Sequence, residues 1–187
     1  MSTPCHLENS LSLSNPDFCY EEAFSRNLGW LTASEQQKLR NSRVAIAGLG
    51  GVGGIYLLTL ARLGVERFTV ADFDTFSLAN MNRQAGATLA SLEQPKIDVM
   101  EKLAREINPA LDIRRFPEGV TVDNTESFLE GADVYLDGLD FFALAIRRHV
   151  FARCAARGIP AVTVAPLGFG AALLNFVPGG MNFEQYF

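Results

Sequence analysis

Five glycines crowd into the seven residues 48–54, directly after the apolar run Val44-Ala45-Ile46-Ala47. Bare backbone at that density lets an anion approach main-chain N–H groups that a Cβ would shield. The helix-like segment that follows, 55–63, adds the unpartnered N–H groups of its first turn. Gly48, Gly50 and Gly53 satisfy the spacing of a dinucleotide-binding loop, a pattern that a plain tight turn also meets. Asp72 lies nineteen residues beyond Gly53 at the end of a second apolar run, the place for a carboxylate that holds ribose hydroxyls or shapes a surface turn. Asp137 and Asp140 follow a later run. One of them could hold magnesium, a hard cation that takes carboxylate oxygen and keeps several waters; the same D-x-x-D spacing suits a turn and a cap. Arg83 and Lys96 bear on which ligand is meant. A nicotinamide dinucleotide brings few charges that backbone N–H groups satisfy, whereas a nucleoside triphosphate brings about four and calls for cationic side chains as well. A solvated surface role is the alternative for each cation. Both lie in or just beyond one long loop on the ligand side, which favours the triphosphate.

These side chains need strands to aim them. After the opening strand and helix, Gly64 stops the helix and residues 67–71 form a second strand that closes at Asp72. Residues 74–94 are polar and without period, a connection long enough to imply a task. Pro95 opens a helix whose Ile97, Met100, Leu103, Ala104 and Ile107 share one face, stopped by Asn108-Pro109. Further strands are expected at 112–116, 134–136 and 161–165, with helices at 124–129 and 143–157 and a possible antiparallel strand at 171–177. Upstream, Thr32 and Glu35 match a capping box for a short helix with Leu39 facing inward. The expected fold class is therefore α/β, a Rossmann-like, mostly parallel sheet with helices on both faces. Residues 1–23 read as a loose arm, 24–178 as one nucleotide-binding domain, and 179–187 as a tail from which the natural chain is expected to continue.

Composition narrows the classes. The 187 residues suffice for one well-buried domain, and a net charge of −5 argues against a nucleic-acid partner such as DNA. Three cysteines, Cys5, Cys19 and Cys154, form no C-x-x-C pair, so neither a disulfide framework nor a zinc site is suggested and a reducing cytoplasm fits best. No leader pattern and no membrane-length apolar window is present. His6 falls in the arm and His149 in an arginine-rich helix, poor places for an acid–base catalyst.

The segments "GLGGVGG", "ADFDTFSLANMNRQ", "QPK", "INP" and "DGLD", in this order and spacing, resemble the ThiF, MoeB and HesA family, bacterial relatives of ubiquitin-activating E1 enzymes. The likeness runs from about Phe24 to Pro178, and "FSRNLGWL" is similar to the family's R-Y-x-R-Q opening, with Arg26 at the second arginine. The resemblance implies an ATP-dependent adenylyltransferase with ATP and Mg²⁺ as cofactors. Gly48, Gly50, Gly51 and Gly53 would face ATP and Asp72 would bind the ribose, with Asp74 supporting the loop. Asn80, Arg83 and Lys96 would hold the phosphates, with Gln84 adjoining. Asp140 would position the metal, and Arg26 would reach the triphosphate of a neighbouring subunit, which implies a homodimer. The implied partner is a ubiquitin-like sulfur-carrier protein activated at its C-terminal glycine, or another carboxylate. A carboxylate nucleophile is ionised at neutral pH and needs no general base; the cations and the metal instead offset its repulsion from the α-phosphate.

Two departures from the family pattern stand out. Phe141 follows Asp140 where relatives often carry Asn, and neither the two zinc C-x-x-C pairs nor a reactive cysteine of some relatives occurs in these residues. Cys154 reads as a buried thiol, so activation without covalent capture is expected. Adenylation of a small molecule, a peptide or a tRNA-linked group, an NAD-linked oxidoreductase and a non-catalytic nucleotide-binding scaffold are the competing functions.

Overall fold

A computed structural model describes residues 18–187. The chain order is α1 (Tyr20–Ala23), a 3-10 turn (Ser25–Asn27), α2 (Ala33–Asn41), β1 (Arg43–Ala47), α3 (Gly53–Arg62), β2 (Arg67–Ala71), 3-10 turns at Leu78–Asn80 and Leu89–Ser91, α4 (Lys96–Ile107), β3 (Asp112–Phe116), α5 (Thr125–Phe128), β4 (Val134–Asp137), α6 (Leu144–Arg157), β5 (Ala161–Leu167), β6 (Gly170–Phe176) and α7 (Phe183–Tyr186). The strands form one six-stranded sheet in the order β3-β2-β1-β4-β5-β6. All neighbours are parallel except β5 and β6, which run antiparallel with Ala161 opposite Phe176 and Leu167 opposite Gly170. The expected α/β class and the antiparallel final strand are both present.

The period-2 alternation of each strand splits the core in two. Val44 and Ile46 of β1 join Phe68, Val70 and Leu136 under α3 and α4, while Ala45 and Ala47 join Tyr135 under α5 and α6. Each large side chain removed fully from water, such as Ile46, Leu57 or Phe68, contributes about 1.5–3 kcal/mol. From β1 the chain moves outward to β2 and β3 on one side, and from β4 it moves the other way to β5 and β6. The crevice between the β1 and β4 exits is thus the switch point at which open α/β sheets bind ligands.

Two segments differ from the sequence reading. Residues 20–23, assigned by composition to the arm, are helical, because Tyr20 is buried: its hydroxyl donates to the Gly64 carbonyl (2.7 Å) and accepts from Gln36 Nε2 (2.8 Å). Residues 1–17 of that arm, with Cys5 and His6, lie outside the described residues. Residues 183–186, read as tail, form a turn of helix capped by Asn182, with Phe183 packed against Phe151 and Phe176. Among the described residues no helix is long and apolar enough to cross a membrane.

Candidate nucleotide site

The β1 exit contains backbone positions, Gly48 and Gly53, that tolerate no Cβ. Gly48 has φ +83°, and a Cβ there would stand 2.3 Å from the Gly138 carbonyl oxygen. A Cβ on Gly53 would stand 1.7 Å from the Gly48 carbonyl oxygen. Gly48, Gly53 and Gly138 therefore allow the β1 loop, the first turn of α3 and the β4 loop to pack backbone on backbone. Gly48, Gly50, Gly51 and Gly138 line the crevice, whereas Gly53 does not. Asp72 is buried and fastens this loop to the β2 exit: Oδ2 accepts from Leu49 N (2.6 Å) and Oδ1 from Asp74 N (2.8 Å). Burial pushes its carboxyl above the ordinary range, against the pull of those two N–H groups and of Lys96. Each carboxylate oxygen keeps a second acceptor position, so loop support and ribose binding are compatible.

The long loop from β2 to α4 delivers the cations. Arg83, Gln84 and Lys96 line the same cavity as Gly48, Gly50, Gly51 and Asp72. Lys96 is the first residue of α4, 6% exposed, with its ammonium 2.9 Å from Asp74 Oδ2. A cation at a helix amino end opposes the macrodipole, so this position suits an anion that both can hold. Arg83 is exposed and donates to the Ala79 carbonyl and to Asn82 Oδ1, both at 2.9 Å. Gln84 is buried, yet its Oε1 has no hydrogen-bond partner among the described residues. An orphaned buried acceptor beside a glycine loop is what a cavity shaped for a polar ligand leaves behind. Asn80 turns its Oδ1 to Ser77, accepting from N (2.9 Å) and Oγ (3.2 Å), and does not line the cavity. Arg26 sits on the exposed 3-10 turn after α1, likewise away from the cavity.

At the β4 exit the two aspartates have separate positions. Asp137 ends β4 and is 1% exposed; its Oδ1 accepts from Leu139 N (3.2 Å) and the Tyr135 hydroxyl (3.3 Å), its Oδ2 from Arg147 Nε and Thr163 Oγ1, both at 2.7 Å. All its capacity goes into the fold. Asp140 is exposed and lines the cavity, with Oδ1 accepting from Phe142 N (3.0 Å) and Oδ2 left without a bond among the described residues. No group of three or more His, Cys, Asp or Glu that could hold a metal occurs among the described residues. One carboxylate beside a phosphate pocket nonetheless fits magnesium, which uses one or two carboxylates plus substrate phosphates and water.

The cavity measures about 940 Å³ and runs from Phe73, Gly119 and Val120 on the β3 side, past the glycine loop, to Thr163, Ala165, Ala172 and Leu174 on the β5–β6 side. The sequence reading did not single out Gly138 or Arg147. The signal for Arg147 was available: Arg147 and Arg148 stand near the amino end of α6, where a cation is disfavoured unless it has a dedicated partner. Cys154 is 1% exposed, and burial pushes its thiol up to about 12. Alkylation by iodoacetamide at pH 8 is therefore expected to be about 100-fold slower for Cys154 in the folded chain than in urea, measured by peptide mass spectrometry. A rate near the unfolded one would show this thiol to be accessible.

A sequence model of the ThiF family matches residues 24–187. The chain is 34% identical over 143 residues to the sulfur carrier protein ThiS adenylyltransferase of Escherichia coli K12, covering 76% of this chain and 56% of that protein. It is 35% identical over 141 residues to the tRNA threonylcarbamoyladenosine dehydratase of Bacillus subtilis 168, covering 75% and 55%. The E. coli tRNA N6-threonylcarbamoyladenosine dehydratase crystallised with ATP superposes with a TM-score of 0.73 at 27% identity, over 76% of this chain and 58% of that one. The chain spans little more than half the length of these curated relatives.

Proposed function

The chain belongs to the ThiF family, and from that premise we propose that it is the nucleotide-binding part of an ATP-dependent adenylyltransferase that activates a carboxylate as its acyl-adenylate and releases pyrophosphate. The observation that carries this reading is one cavity lined at once by the glycine loop, Asp72, Arg83, Gln84, Lys96 and Asp140. In it Asp72 holds the ribose, the loop's N–H groups and the α4 terminus face the phosphates, and Arg83 and Lys96 offset their charge. Lys96 exchanges or shares Asp74 as partner when phosphate arrives. Asp140 is the residue that would hold Mg²⁺, which when bound would supply charge neutralisation for the departing pyrophosphate. The acceptor's carboxylate attacks the α-phosphorus, and the bond to pyrophosphate breaks. The C-terminal glycine of a ubiquitin-like sulfur carrier is the first acceptor to try; the ThiS adenylyltransferase likeness supports it, and the tRNA dehydratase likeness supports a tRNA-linked group as the second. Arg26, on its exposed turn, reaches the triphosphate of a second copy in a homodimer.

Pyrophosphate exchange with candidate acceptors tests the reading. Exchange that requires a Gly-Gly-terminated protein supports the carrier acceptor, and none with any acceptor, together with NAD binding in place of ATP, overturns the proposal. Within it, Arg83→Ala is expected to weaken ATP about tenfold or more while AMP binding changes about twofold or less, since only the triphosphate carries the charges it offsets. Isothermal titration with both nucleotides reads this out, and equal losses would remove Arg83 from the phosphate site.

A further inference from the structure

Arg147 is the fourth residue of α6 and lines the cavity, but it touches more of the protein than of the open space. Its Nε donates to Asp137 Oδ2 at 2.7 Å. Its terminal nitrogens reach over the β4 loop, Nη2 to the carbonyls of Leu139 (2.7 Å) and Asp140 (3.0 Å), Nη1 to that of Phe141 (3.2 Å). One planar fork thus fastens three successive carbonyls to a carboxylate that is fully buried. The anchor is rigid, because Asp137 is also held by Thr163, Tyr135 and the Leu139 amide. Asp140 sits in the middle of the fastened segment. Its own Oδ1 accepts from the Phe142 amide and its carbonyl from the Ala143 amide, so both backbone and side chain are oriented from the protein side. Its Oδ2 makes no hydrogen bond among the described residues, and the residue lines the cavity.

We infer that Arg147 is a positioning residue: anchored on Asp137, it holds the 139–141 loop so that the Asp140 carboxylate is presented to the nucleotide cavity. A cation so near a helix amino end opposes the macrodipole, and this fork is what offsets that cost. The consequence for chemistry rests on the adenylation reading above; the loop-holding itself does not.

The test uses the whole chain. Arg147→Lys keeps a cation beside Asp137 but replaces the fork by a single point. In the ligand-free protein, the Phe142 and Ala143 amides are expected to exchange hydrogen about tenfold faster in Arg147→Lys, with β1 amides unchanged. In pyrophosphate exchange, kcat falls about tenfold and the half-saturating Mg²⁺ rises about tenfold while KM for ATP stays within about twofold, a split that general loss of fold would not produce. In an Asp140→Asn background the same substitution costs about twofold or less, because what it positions is already gone. Unchanged exchange at Phe142 and Ala143 overturns the inference whatever the activity. A full, multiplying loss in the Asp140→Asn background also overturns it, since Arg147 would then act on substrate directly. If wild-type protein shows no pyrophosphate exchange, the adenylation reading falls and the amide result alone decides the positioning role. Should Arg147→Lys fail to fold, Arg147→Gln combined with Asp137→Asn, which leaves no unpaired buried charge, carries the same comparisons.

Discussion

Gly53→Ala is expected to abolish measurable ATP binding and to lower stability by about 2–4 kcal/mol, or about 5–15 °C in Tm for a chain of this size. The new Cβ would lie 1.7 Å from the Gly48 carbonyl oxygen and 2.9 Å from its carbon. Those atoms are backbone at the end of a buried strand and cannot rotate aside, so the glycine loop or the first turn of α3 must move. Helix propensity favours alanine by about 1 kcal/mol, too little to compensate. Gly50→Ala is the control: its Cβ would meet nothing nearer than Gln84 Nε2 at 3.5 Å, an ordinary contact. Thermal unfolding and ATP titration of the pair separate a loop that must be bare for packing from one that is bare only to admit a ligand. Equal behaviour of the two variants would show that the close Gly48–Gly53 approach does not matter.

Asp137→Ala is expected to cost about 3–5 kcal/mol, because it leaves the Arg147 guanidinium without a counterion in a site where its side chain is only 12% exposed. It also removes the acceptor of the Thr163 hydroxyl and that of the fully buried Tyr135 hydroxyl. By contrast, Glu126→Ala removes a carboxylate paired with Arg153 and Arg157 on the surface and is expected to cost about 0–1 kcal/mol. Urea unfolding of both variants checks the contrast. A cost for Asp137→Ala no larger than that for Glu126→Ala would mean that the buried pair contributes nothing net.

The periodic parts of the fold were readable from local chemistry. The strand at 67–71 matches β2, and the strand expected at 112–116 matches β3. The Thr32–Glu35 capping box forms as expected, and Gly158 ends α6 in the left-handed region at φ +67°. Each of these signals lies within a few residues of what it controls. Asn80 shows the limit of such signals: in sequence it is one of a polar series with Arg83, but its Oδ1 is turned to Ser77, three residues earlier, and it does not line the cavity. The packing of Tyr20 and Phe183 has no local signal, because their partners, Gly64 and Gln36 for the one and Phe151 and Phe176 for the other, are distant in sequence.

What the sequence determined by itself is the order of strands and helices, the bare loop after β1 and the presence of carboxylates and cations at strand exits. Those follow from backbone propensity, side-chain period and steric freedom, all local quantities. What only the tertiary structure decided is which of those charges remain available. Asp137 and Asp140 are three residues apart and chemically identical, but the first is buried against the Arg147 guanidinium while the second is exposed and lines the cavity. That difference is set by where β5 and α6 come to rest beside β4, because a carboxylate's role depends on the donors that packing brings within hydrogen-bond reach.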